Sequence, residues 1–74
     1  MTRRATLWIL VRGGSRLHLV LLEADDGTAE CAIMSGATLV AARLHPTRDL
    51  AGVWAEHLRQ TYLAEGWRED GAEA

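Results

Sequence analysis

The stretch Leu7-Trp8-Ile9-Leu10-Val11-Arg12-Gly13-Gly14-Ser15-Arg16-Leu17-His18-Leu19-Val20-Leu21-Leu22 decides the fold class. Two apolar runs stand on either side of a glycine pair, and each is flanked by arginine. Each run is too short for a stable helix, and the pair reads as a β-hairpin. A hairpin that is wet on one face shows polar residues at alternate positions. Here Trp8, Leu10, Val20 and Leu22 occupy positions that should then be polar, so both faces of the hairpin ask for cover.

Outward from this hairpin, turn signals divide the rest of the chain. Asp25-Asp26-Gly27 and Ser35-Gly36 separate two further apolar segments, which gives predicted strands over 5–12, 16–23, 28–34 and 37–44. A three-residue loop, Gly13 to Ser15, places Leu7, Ile9 and Val11 on one face with Leu17, Leu19 and Leu21. A second three-residue loop puts Gly27 at the left-handed position of a bulged turn, so that Ala29, Cys31 and Ile33 join that face. A two-residue Ser35-Gly36 turn adds Thr38, Val40, Ala42 and Leu44 and sends Arg43 outward.

Pro46 removes a donor and ends the strand pattern. Thr47 is placed to cap a helix, and Asp49 suits the positive end of its dipole. Leu50, Val53, Trp54, Leu58 and Ala64 form the predicted buried stripe. Gly66 should close the helix in a left-handed conformation, with Trp67 folding back onto Tyr62. The expectation is therefore an α+β fold: a four-stranded antiparallel meander with one C-terminal helix packed on one face. Residues 1–4 form a basic tail, 5–67 one domain, and 68–74 a frayed acidic tail.

Composition bounds the function. A chain of 74 residues buries only roughly 60% of its unfolded surface, near the lower limit for an independent core. One cysteine permits no internal disulfide and fits a reducing compartment. The net charge of −2 and the absence of lysine do not give the basic footprint of a nucleic-acid-binding domain. Met1-Thr2-Arg3-Arg4 leads into an apolar run too short for a secretion signal, no segment reaches transmembrane length, and the expected location is cytoplasmic.

The first hairpin with its tryptophan and arginines, Asp26-Gly27, Glu30, Gly36, the Pro46-Thr47-Arg48 entry, the alanine-rich helix with Arg59 and Leu63, and the terminal Gly66-Trp67 together resemble a loose group of small, uncharacterised bacterial proteins. The resemblance spans residues 8–67. It implies four strands followed by a helix and implies no activity. The same order occurs in single-stranded-DNA-binding coactivator-like proteins, an analogy of fold alone.

Chemistry-bearing residues are few. Cys31, expected beneath the helix, and His57, expected with Thr61 in its stripe, could form a thiolate–imidazole pair. A mid-strand cysteine is more often a small buried hydrophobe, and no catalytic residue is expected. Histidines scattered over strand, loop and helix lack ligand spacing, so neither metal nor cofactor is expected. The outer sheet face carries the functional expectation: Trp8, Leu10, His18, Val20, Leu22, Met34 and Leu39 form an apolar surface larger than a monomer ordinarily leaves wet. It should bind a second copy or another protein. The alternative is single-stranded nucleic acid, stacked on Trp8 and held by Arg12, Arg16 and Arg43. Membrane association is not expected.

Overall fold

The computed structural model describes residues 2–70. Strands β1 (Arg3–Arg12), β2 (Ser15–Glu23), β3 (Ala29–Ser35) and β4 (Thr38–His45) form an antiparallel meander. Helix α1 (Arg48–Ala64) follows, and a two-residue strand β5 (Arg68–Glu69) returns to pair with β1. The sheet order is β4-β3-β2-β1-β5. The α+β class and the strand-to-helix order match the expectation, and the fifth strand is an addition to it.

Local chemistry at the helix ends behaves as read from sequence. Thr47 Oγ1 accepts the Leu50 N–H at 3.2 Å. At the other end the Trp67 N–H bonds the Tyr62 carbonyl at 3.1 Å and the Gly66 N–H bonds that of Leu63 at 3.2 Å. These two bonds make a Schellman ending. The Trp67 ring stands edge-on to Tyr62 at 5.8 Å. The loop after β2 is the expected bulged turn: Ala24 N–H bonds Thr28 O at 2.9 Å around Asp25-Asp26-Gly27, with Gly27 at φ 90°.

Two hairpin registers differ from the expectation. Arg12 pairs with Ser15, so the first loop has two residues, Gly13-Gly14, not three. Gly13 takes φ 58°, the conformation that a primed hairpin turn requires at its first central position. Leu10 then lies opposite Leu17 and Trp8 opposite Leu19. Trp8 and Leu10 therefore face the helix, which corrects their assignment to the outer surface. Ile9 and Val11, expected inside, face outward. A bulge at Leu7, between Thr6 and Trp8, restores the pairing below it.

The last hairpin turns on Gly36-Ala37, with Ser35 opposite Thr38 and a bulge at Val40. Ala42 lies opposite Ala32 and Leu44 opposite Glu30, on the outer face, while Arg43 lies opposite Cys31 on the helix side. The expected orientation of Ala42, Leu44 and Arg43 is thus corrected, and Val40 falls in the bulge. In both strands each face is apolar enough that alternation does not choose between them. The observed registers go with two-residue turns led by glycine and, for β1, with the Trp8 indole bonding the Ala55 carbonyl at 3.0 Å.

The core lies between one sheet face and α1. It contains Trp8, Leu10, Leu17, Leu19, Leu21, Ala29, Cys31 and Ile33 from the sheet, with Ala51 and Ala55 from the helix. The helix buries Ala51 and Ala55 and half-buries Trp54, Leu58, Tyr62 and Leu63 against the sheet, while Leu50, Val53 and Ala64 are exposed. This corrects the predicted stripe by about one position. Two small residues bring the helix close to the sheet: Cys31 Sγ donates to the Ala51 carbonyl at 3.5 Å.

The acidic tail is also corrected in its first part. Leu10 and Val11 pair with Glu69 and Arg68, and Asp70 N–H bonds Ile9 O at 3.0 Å. Arg59 fixes β5 to the helix through Glu69 at 2.7 Å, and Arg16 pairs with Asp70 at 2.9 Å. The expected basic tail loses Arg3 and Arg4 to β1. Residue 1 and residues 71–74 of the two expected tails lie outside the described residues.

Candidate interaction surface

Strand pleating assigns the outer face once the registers are known. One row across the sheet is Ile9, His18, Met34 and Leu39. The next is Thr6, Val20, Ala32 and Ala42, and a third is Arg4, Leu22, Glu30 and Leu44. Val11 and Arg16 begin a fourth. Val20, at the centre of this face between Thr6 and Ala32, is 3% exposed. Ile9, Val11, His18, Leu22, Ala32 and Met34 are half-buried. Leu39 and Leu44 are more than half exposed.

Of the expected surface residues, the structure brings together His18, Val20, Leu22, Met34 and Leu39. It withdraws Trp8 and Leu10 and supplies Ile9, Val11 and Leu44 in their place. The missed signal was the glycine at the first position of each two-residue turn.

The expected nucleic-acid contacts do not share this face. Trp8 is buried and its indole N–H bonds the Ala55 carbonyl at 3.0 Å. The Arg12 guanidinium lies over Trp67 at 4.9 Å from the ring centre and donates to the Glu65 carbonyl at 3.0 Å. Arg43 lies over Trp54 at 5.9 Å on the helix side. Arg16 alone of the set stands at the rim of the outer face, paired with Asp70.

Cys31 and His57 are placed differently from one another. Cys31 is fully buried, and burial, with the nearby Glu30 charge adding to it, raises its thiol pKa. That setting disfavours the thiolate a nucleophile needs. His57 is exposed on the helix flank and lines an open groove with Trp54, Leu50, Leu44 and His45. His45 is buried against Trp54, with ring centres 5.3 Å apart. Among the described residues no cluster of three or more His, Cys, Asp or Glu side chains could hold a metal ion. No helix there is long and apolar enough to cross a membrane.

Comparison of the chain with protein-family models, curated proteins and solved structures returns no match.

Proposed function

We propose that this protein is an assembly module whose outer sheet face packs against the same face of a second copy. The observation that supports it is the sheet's uncovered side. Three successive rows there are apolar except for His18, Thr6, Arg4 and Glu30, and the charged members stand at the margins of the face. Covering such a face with a like face is the ordinary construction of a two-layer sheet sandwich, with layers about 10 Å apart. A two-fold arrangement needs only one self-complementary patch. A single-layer sheet with one helix leaves the remaining hydrophobic area to a neighbour.

The test is mass in solution at micromolar concentration, by light scattering, for the native chain and for Met34→Arg. Met34 is half-buried on the outer face, so arginine can reach water in a lone subunit. The expected result is a native assembly that Met34→Arg dissociates without change in far-UV circular dichroism. A native mass of one chain, or an assembly indifferent to Met34→Arg, refutes the reading.

A further inference from the structure

The helix carries two large apolar side chains that the core does not take, Leu50 and Val53. Both line a groove of about 440 Å³ between α1 and the end of β4, walled also by Pro46 and Trp54. That size falls within the range of small-molecule sites. The groove's polar lining is Arg43, His45 and His57, and among the described residues no carboxylate lines it.

Two of these polar groups lack partners. Arg12, Arg16, Arg48 and Arg59 each meet a carboxylate or a carbonyl. Arg43 has no such partner among the described residues, and its guanidinium rests near the Trp54 ring, 5.9 Å from the centre. His45 is 7% exposed, and its Nε2 has no hydrogen-bond partner among the described residues. Buried polar atoms are nearly always paired, so an unpaired one in the wall of a groove points to a group that the chain itself does not supply.

We infer that this groove binds a small carboxylic acid with an apolar body. The planar guanidinium of Arg43 presents parallel N–H donors that match a carboxylate. His45 Nε2 adds a donor in the tautomer that carries its proton there. Pro46, Leu50 and Trp54 form the wall against which the apolar body packs. In the bound form the Trp54 ring, half-buried and 5.3 Å from the His45 ring, shifts to admit the carboxylate to Nε2. Charge selects an acid over an amine, because the groove holds a guanidinium and two imidazoles with no anion beside them. The groove on the β1 side of the helix has no such bias: Asp49 and Glu56 line it with Arg48, and Arg48 meets Glu23 at 3.8 Å.

This site goes beyond the assembly reading and does not depend on it, since His18, Val20 and Met34 of the outer face take no part. The test titrates the full, isotope-labelled chain with sodium phenylacetate and with sodium hexanoate at constant ionic strength. Amide and indole N–H shifts are followed by NMR, and phenylacetamide and hexanamide serve as neutral counterparts. The expected result is saturating shifts centred on Arg43, His45, the Trp54 indole and His57. The amides should bind about tenfold more weakly, the worth of a charge-assisted hydrogen bond. Arg43→Gln and His45→Phe should each weaken phenylacetate by a similar factor, while Arg16→Gln, at the rim of the other face, should not. Arg43 is exposed, so its variant tests the site even where His45→Phe disturbs the fold. The inference is overturned if neither acid gives saturating shifts, if the amides bind as well as the acids, or if Arg43→Gln binds as well as the native chain.

Discussion

The Trp8 indole N–H donates to the carbonyl of Ala55 at 3.0 Å, tying β1 to the middle of α1 across 47 residues of sequence. The same ring stands edge-on to Tyr62 at 6.1 Å, and Tyr62 in turn meets Trp67. One side chain therefore joins the first strand, the helix and the helix ending. Trp8→Phe keeps most of the apolar area and removes the bond. A net hydrogen bond is worth ~1 kcal/mol, and the smaller ring leaves some space behind. The expected loss is about 1–3 kcal/mol, read as a lower urea midpoint with little change in slope. An unchanged midpoint would mean that the bond adds nothing net of solvation.

Cys31 offers a probe of opening. The thiol has no accessible surface and lies under Ala51. Alkylation must await exposure of the helix–sheet interface, so its rate follows that opening equilibrium. If opening costs ~4 kcal/mol, native labelling should be on the order of a thousandfold slower than labelling in denaturant. Rapid labelling of the folded chain would show that α1 leaves the sheet readily.

What the sequence disclosed and what it hid have physical causes. The helix ends were legible because Thr47 and Gly66 act through neighbours in the chain, and so was the Asp25-Asp26-Gly27 loop. The side chosen by β1 was not, since Leu7, Trp8, Ile9, Leu10 and Val11 satisfy either face. Its inward set was decided at the far end of the hairpin, by Gly13, and by what the helix presents. Ala51 and Ala55 are small enough to leave room for an indole, and the Ala55 carbonyl accepts its N–H. The same small residues displaced Leu50 and Val53 from the expected stripe. An outer apolar surface was foreseeable from composition; which residues form it was not.

Glu56 should make stability depend on pH. Hydrogen bonds from Arg59, then from Gln60, lower its pKa from the ordinary 4.5 to about 2. A carboxylate with a depressed folded-state pKa contributes stability above its unfolded pKa and loses it as pH falls through the folded one. The stability difference between the native chain and Glu56→Gln should therefore be constant above about pH 4.5. It should shrink between 4.5 and 2 and vanish below. Because the group is exposed, the difference is small and screened by salt. Urea titrations at a series of pH values measure it, and a gap that survives at the acid end would assign it to something other than this charge.

Gly13 supplies the sharpest test of how the first register is held. A Cβ built there meets nothing within 4 Å, so substitution is limited by the positive φ alone. Only the first of the two turn residues has positive φ, the pattern of a type II′ turn that calls for glycine there. Gly13→Ala should therefore cost about 1–3 kcal/mol, and Gly13→Asn no less. Neither should move the strand, because the alternative three-residue loop would expose Trp8 and break its bond to Ala55. Tryptophan emission in the absence of denaturant should accordingly stay at the native wavelength while the urea midpoint falls. A red shift in Gly13→Ala would mean that β1 had slipped, with Ile9 and Val11 turned inward, and that the turn rather than the Trp8 contact sets the register.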